Sequence, residues 1–460
     1  MTRVFFRNAL KSIFQQTRIH TSLKQPVKYY CPSGTRKWKG QLSTMKLETP
    51  KFRDLFTPEL KELIGVFERH NYELRIAGGA VRDLLLGISP SDVDFATTAT
   101  PDEMIKMFTK ESIRMFNEKG IKHGTISVRI NDKENFEVTT LRIDVVTDGR
   151  RAEVEFTKDW LIDANRRDLT INAMFLGFDG TVHDYFSGVQ DLQDRRVQFV
   201  GEPTERIQED YLRILRYFRF YGRIAEYPDK HLPDTLKAIA ENVEGLKRIS
   251  GERIWMELKK ILCGNHAADI IPIMYDVGMP QYLGLPTTVD LDHYRQVCHN
   301  TEGLQPQPVT RMSALFINEQ ELYDMNERLK LSADEFRLGL FIVENRHLPD
   351  AGNPIKLYKD LMCDTVGQQH KTAERICELM KYKNERQLCA DPSLWTPPPF
   401  PISGGDLIKC NVKKGPHMQL MLKELRNIWK ESDFKMGKSE LLQRVDDILP
   451  TLPELPAKKN

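Results

Sequence analysis

What this 460-residue sequence lacks narrows it before any motif is weighed. No apolar run approaches the ~20 residues of a bilayer-spanning helix, so no membrane partner is expected. The seven cysteines, at 31, 263, 298, 363, 377, 389 and 410, never form a C-x-x-C pair. That scatter argues against a zinc ribbon or a disulfide framework and points to a reducing compartment. No segment repeats, which excludes a solenoid. Acid is missing from the first 47 residues: ten Lys or Arg precede Glu48, with no Asp or Glu among them.

An acid-free, Ser/Thr-containing leader in which Val4, Phe5, Phe6, Ile13 and Phe14 can share a helical face has the composition of a mitochondrial transit peptide. A disordered basic tail has the same charge. Met45 ends the segment and offers a second start, from which a cytosolic or nuclear form would begin. Setting the ten leader cations aside leaves 57 basic against 65 acidic residues, so the net charge moves from +2 to about −8. A nucleic-acid partner would therefore need a local basic surface.

With 40% apolar and 29% charged residues, the chain can bury a large core and is expected to divide into two to four domains. A helix over 57–69 precedes a short strand at 73–77, then Gly78-Gly79 and an apolar helix ending at Gly87. A second strand holds "DVDFATT", a helix follows Pro101, and "GTISVRI" and "FEVTTLR" flank the turn "NDKEN" as a hairpin. This predicts an α/β head with a mixed sheet. The charged segment "DVVTDGRRAEVEF" reads as a mobile loop. Beyond about residue 177 strands become rare, and amphipathic helices are predicted over 203–224, 233–246 and 250–263. The Pro-rich "WTPPPFPISGGDL" marks a junction near 395–407.

Three clusters carry chemistry. In "IAGGAVRDLLLGISPSDVDFAT" the glycines let backbone approach a phosphate, the helix start offers N–H groups, and Arg82 adds a cation. Asp92 and Asp94, two apart on a strand, would set two carboxylates side by side. Such a pair repels itself unless divalent cations lie between it and a polyphosphate, the arrangement of Mg2+-dependent nucleotidyl transfer. Glu137 is the candidate third acid, with an exposed strand residue as the alternative. In "NRRDLTINAMF", Arg166 and Arg167 suit phosphate, Asp168 a ribose hydroxyl and Asn172 an amide contact, while Asp168 can also cap a short helix over 169–174. Asp184, Gly188 and Asp191 then form a turn-rich connector where a hinge would be useful.

The third cluster is "EDYLRILRYFRFYGR", 209–223. On one helix Asp210 and Arg213 would share a face, and Leu212, Leu215 and Phe218 would form a buried stripe. They can be a plain surface ion pair. Alternatively, an acceptor-only carboxylate beside a donor-only guanidinium complements an exocyclic amine next to a bare ring nitrogen. Cytosine and adenine have that edge, whereas uracil and guanine would set acceptor against acceptor. Unpaired groups in a closed site discriminate by ~10⁴ or more. The pair would thus admit CTP and ATP, with Arg216 and Arg219 supporting the pocket.

Together these motifs resemble the class II CCA-adding enzymes of the polymerase β-like nucleotidyltransferase superfamily. The likeness rests on Gly78-Gly79-x-Val81-Arg82-Asp83, Asp92-x-Asp94, Arg166-Arg167-Asp168-x-x-x-Asn172-Ala173, the 184–191 connector, Glu209-Asp210-x-x-Arg213-x-x-Arg216-x-x-Arg219, "SGERIWMELKKIL" and "PPFPISGGDL", and it covers the chain from about residue 47.

The resemblance implies an α+β architecture, a mixed-sheet nucleotidyltransferase head followed by an all-helical neck, body and tail. The expected boundaries are a leader at 1–47, head at 48–177, neck at 178–264, body at 265–390 and tail at 391–460. It implies Mg2+ on Asp92 and Asp94. The incoming nucleotide would meet Gly78, Gly79, Arg82, Arg167, Asp168, Asn172, Arg216 and Arg219, and Asp210 with Arg213 would act as a protein template. It further implies template-independent addition of CCA to the tRNA 3′ end, the acceptor arm held by the helical half, with 144–155 and the connector as moving parts. The chain is expected to act as a monomer or homodimer. A bacterial-type poly(A) polymerase shares the head and neck motifs but tends to carry a basic C-terminal extension absent here; a non-catalytic RNA-binding module would not need both aspartates.

Overall fold

A computed structural model describes residues 27–30, 37–40, 42–147, 152–348, 354–364, 369–390 and 399–452. Most of the leader, 1–26, lies outside them. Within it, β1 (Val27–Tyr30) and β2 (Lys37–Gly40) pair antiparallel.

Alternating apolar residues build an eight-stranded sheet in the head. Its strands are β3 (Ser43–Lys46), β4 (Leu74–Ala77), β5 (Asp94–Thr97), β6 (Arg114–Phe116), β7 (Thr125–Ile130), β8 (Glu134–Thr140), β11 (Phe175–Leu176) and β12 (Thr181–Asp184). The order is β3-β12-β11-β4-β5-β8-β7-β6. β5 and β8 run parallel and the other neighbours antiparallel, the mixed sheet expected. The β7–β8 hairpin forms as predicted, its turn made by Asn131 and Asp132 at φ 52° and 54°, the left-handed region that Asn and Asp tolerate. The sheet reaches Asp184, beyond the boundary expected at 177, and begins at Ser43, inside the expected leader.

Successive residues on a strand face opposite sides, so both sides of this sheet are covered. On one side Phe95 and Phe136 meet edge to face at 5.8 Å. The helices α1 (Pro58–Arg69) and α2 (Pro101–Lys110) bury Leu63, Val66 and Phe67, and Met104, Met107 and Phe108. Thr57 caps the first, accepting from the Leu60 N–H, and Thr100 with Glu103 closes a capping box on the second. Opposite, Ala77, Ala96, Leu141 and Phe175 pack with Trp160 and Ala164 of α3 (Trp160–Asn165).

The segment read as a mobile loop is an antiparallel ribbon, β9 (Arg142–Thr147) with β10 (Ala152–Phe156), kinked by a bulge at Glu153/Val154. Its charges masked a run of β-formers, Ile143, Val145, Val146, Val154 and Phe156. Residues 148–151 lie outside the described part.

The predicted helix over 203–224 is two helices, α4 (Pro203–Glu209) and α5 (Leu212–Ile224), separated by Asp210 in extended conformation (φ −154°, ψ 107°). The stripe Leu212, Leu215 and Phe218 is buried as expected. After α6 (Pro233–Asn242) and a 3₁₀ turn (Val243–Arg248), α7 (Gly251–Leu262) packs against α5.

The chain divides into two compact units at Thr287/Thr288, with Glu327–Lys330 joining the first. The second unit is helical among its described residues. Within it Arg346 is buried and donates to the Ser313, Phe316 and Ile317 carbonyls. Its C-terminal part has its own cluster around Leu407, Met421, Leu425, Trp429 and Leu441. Among the described residues no helix is long and apolar enough to cross a membrane.

Candidate active site

β4 runs into Gly78, whose φ of +66° suits glycine, and a Cβ there would lie 2.9 Å from an Arg167 Nη1. The bare backbone and the Arg167 guanidinium therefore share one spot. Arg167 is held by Asp163, which accepts from its Nε at 3.2 Å and Nη2 at 3.1 Å, and its Nη1 donates to the Asn172 carbonyl. Asp163 also takes Arg166 Nε at 2.8 Å. Burial opposes ionisation of Asp163, but the two guanidiniums hold it below the usual carboxylate range. Sequence reasoning missed Asp163. Its signal is its place three and four residues before an arginine pair on a helix.

Asp94 opens β5 and pairs in register with Glu137 of the parallel β8. Asp92 lies in the loop before the strand, not on it, and both aspartates are exposed. Crowding by surrounding atoms, then the Glu137 and Asp92 charges, push Asp94 above the usual carboxylate range against the pull of Arg167. Ser127 Oγ donates to Glu137 at 3.3 Å. Among the described residues no three acidic, His or Cys side chains converge into a metal cage. Two crowded carboxylates fit a hard cation such as Mg2+, which usually takes one or two carboxylates and fills its shell with water and substrate phosphate.

Arg82 is buried, donating from Nε to Asp83 at 2.9 Å and from Nη1 to Asn172 Oδ1 at 2.6 Å. Burial lowers its pKa. Its partners are protein groups, and it lies 4.7 Å from the Phe220 ring centre, with Arg219 at 4.8 Å and Arg216 at 5.4 Å. Phe220 is a second residue missed, hidden among the aromatics of the arginine row.

Asp168 is not the cap of a helix over 169–174; one 3₁₀ turn, Thr170–Asn172, forms there. Its Oδ1 accepts from the Leu169 N–H and Asn172 Nδ2, and its Oδ2 from Arg216 Nε at 2.5 Å. Burial opposes the charge on Asp168, but Arg216 and these hydrogen bonds keep it below the ordinary range.

Asp210 and Arg213 do not share a helical face, because Asp210 occupies the break. Its Oδ1 accepts from the Leu212 N–H at 3.1 Å and its Oδ2 from Arg253 at 2.8 Å. Arg213 Nη1 bonds Glu209 and the Arg206 carbonyl, and Nη2 donates to the Arg166 carbonyl at 2.9 Å. Arg219 Nη1 meets both oxygens of buried Glu257, at 3.2 and 3.1 Å. Arg253 and Glu257 were also missed as individuals, although one turn of "SGERIWMELKKIL" carries both.

The connector is a clasp and not a free hinge. Buried Asp184 accepts from the backbone N–H groups of Phe186, Gly188 and Val189, and buried Asp191 from Thr170, Arg196 and Gln198.

A family model described as the poly A polymerase head domain matches residues 74–198, and one described as a probable RNA and SrmB-binding site of polymerase A matches 232–288. The human mitochondrial CCA tRNA nucleotidyltransferase 1 is 51% identical over 427 residues, covering 91% of this chain and 98% of that protein. The chain belongs to the CCA tRNA nucleotidyltransferases. The zebrafish (Danio rerio) member is 52% identical over 87% of this chain and 93% of its own. In fold the chain is similar to the Bacillus stearothermophilus CCA-adding enzyme in complex with CTP, with a TM-score of 0.64, 24% identity and coverage of 88% and 99%. The Thermotoga maritima CCA-adding enzyme complexed with tRNA gives a TM-score of 0.59 at 19% identity, with 88% and 99% covered. CCA tRNA nucleotidyltransferases therefore resemble this chain over nearly its whole length, whereas the two polymerase A models match residues 74–198 and 232–288.

Proposed function

We propose that this chain adds CCA to the 3′ end of tRNA from CTP and ATP, without a nucleic-acid template. What supports this reading most is a continuous line of contact. The neck residues Arg213 and Arg216 bond the head at Arg166 and Asp168, and Arg167 in that same turn acts on Asp94. These contacts link the proposed base reader to the turn that carries Arg167.

Gly78 leaves room for the Arg167 guanidinium beside the bare backbone, and Arg167, oriented by Asp163, offsets the charge of the triphosphate. Asp92 and Asp94 would hold Mg2+, which when bound lowers the pKa of the attacking hydroxyl and neutralises the leaving pyrophosphate. Glu137, in register with Asp94, adds negative charge to the same edge. Arg82, Asn172, Asp168, Arg216 and Arg219 brace the pocket around Phe220. Asp210 accepts from the exocyclic amine of cytosine or adenine while Arg213 donates to the adjacent ring nitrogen, and uracil and guanine leave both groups unpaired. The acceptor arm of tRNA is held by the helical half. Residues 1–44 direct import into mitochondria, and translation from Met45 supplies a second, cytosolic or nuclear form.

The carboxylates provide the test. Asp92→Asn and Asp94→Asn are each expected to lower the rate of CTP addition to a tRNA ending before CCA by ~10³-fold or more, with CTP binding by calorimetry largely kept. Near-normal rates in both variants would reject a role for the pair in holding the metal.

A further inference from the structure

Asp210 is held from outside its own segment. The helix α7 carries Arg253 and Glu257 one turn apart, and these meet Asp210 and Arg219 respectively, at 2.8 Å and 3.1 Å. One helix therefore presents a cation to the neck's acid and an acid to the neck's cation. The Arg253 bond spans 43 residues of sequence, and Asp210 and Arg253 are each partly exposed. Asp210 starts α5, its carbonyl accepting from the Arg213 N–H at 2.9 Å, and with a single side-chain bond from its own segment the carboxylate would still have rotamers to lose. Here the Leu212 N–H takes Oδ1 and Arg253 takes Oδ2, which fixes the plane of the group. Each oxygen accepts two hydrogen bonds, so the fixed group keeps acceptor capacity for a base amine. The backbone is pinned as well. The Tyr211 ring lies where a Cβ on Gly245 would be, 1.9 Å away.

We propose that Arg253 is a positioning residue for base selection: it orients the Asp210 carboxylate so that its open lone pairs face the Watson–Crick edge of the incoming nucleotide. The proposal rests on the reading that Asp210 and Arg213 select the base. Arg253 itself touches no reacting atom. An Asp210 released from it would turn toward solvent and accept from whichever donor water or a wrong base supplies.

The experiment measures kcat and KM for CTP and for UTP on tRNA ending before CCA, in wild type, Arg253→Ala, Arg253→Lys, Asp210→Ala and the Arg253→Ala/Asp210→Ala double variant. Melting temperature is recorded for each. Arg253→Ala is expected to lower the CTP-to-UTP ratio of kcat/KM by about tenfold or more, through kcat for CTP more than through KM. Arg253→Lys, which keeps the charge and a donor, restores part of the ratio and guards against a folding defect in the alanine variant. In the Asp210→Ala background, Arg253→Ala adds no further loss. If Asp210→Ala loses discrimination while both Arg253 variants keep it, or if the two losses multiply, Arg253 does not act through Asp210 and the proposal falls. If Asp210→Ala itself keeps full discrimination, the base-reading role fails, and the positioning role with it.

Discussion

Most side chains singled out from the sequence are found bonded to other side chains of the protein, and that is how single residues shape this site. Arg82 and Asn172 make each other's contacts, and Asp168 is tied to Arg216. The sequence reading could name them because residue types limit what they can donate or accept. It could not pair them, because Arg82 and Asn172 are 90 positions apart. One residue outside the site makes a pH prediction. His231 stacks on Tyr221 at 3.7 Å, its Nδ1 is 2.8 Å from the Tyr217 hydroxyl, and its buried Nε2 has no hydrogen-bond partner among the described residues. Burial pushes its pKa down to about 4, with the Pro228 backbone and then Asp229 pulling the other way. The folded protein therefore keeps His231 neutral between about pH 6.5 and pH 4, while the unfolded chain takes up a proton there. The stability this contributes is present above pH 6.5 and is lost as pH falls toward 4. Replacement by phenylalanine removes that slope, so at pH 5 the variant should gain on wild type by on the order of 1 kcal/mol relative to pH 7.5, after allowance for solvent screening. Melting curves at the two pH values check it, and parallel shifts in both proteins would contradict it.

At the scale of elements, local patterns were legible and tertiary choices were not. The hairpin over 125–140 and the caps at Thr57 and Thr100 follow from alternation and from Pro and Thr placement. The break at Asp210 has a weaker signal, since "QEDYLRIL" holds neither Pro nor Gly and only an Asp able to cap, as it does by accepting from the Leu212 N–H. Groups from elsewhere in the chain meet it there, Gly245 against the Tyr211 ring and Arg253 on the Asp210 carboxylate. The strand β3 falls within the expected leader because nothing in "STMK" reveals its partner, yet it pairs residue by residue with β12. That pairing sharpens the second-start hypothesis. A form beginning at Met45 loses Ser43↔Asp184 and Thr44↔His183 but keeps Met45↔Val182 and Lys46↔Thr181. Losing two edge pairs costs roughly 1 kcal/mol. Such a form should melt a few degrees lower, retain nucleotide addition and lose mitochondrial import in an organelle uptake assay. Continued import would remove the leader reading, and loss of addition would make β3 part of the working head.

At the scale of the whole molecule, the two halves differ in what the sequence reveals. The first compact unit holds every motif that carries chemistry, because phosphate, cation and base each demand specific donors and acceptors. The second unit meets the looser demand of packing helices, as in its Trp429 cluster, and its sequence says little beyond amphipathic period. With about −8 net charge outside the leader, RNA must be met by local surface and not by the global field. The central claim is that a protein pocket, with no nucleic-acid template, decides both which bases are added and where addition stops. Purified protein given a tRNA ending before CCA, Mg2+ and all four nucleoside triphosphates tests it most directly, by sequencing the extended 3′ ends. The account predicts C, C and A in that order, no U or G, and a stop after three. An open-ended A tail, or incorporation of U at the rate of C, would contradict it.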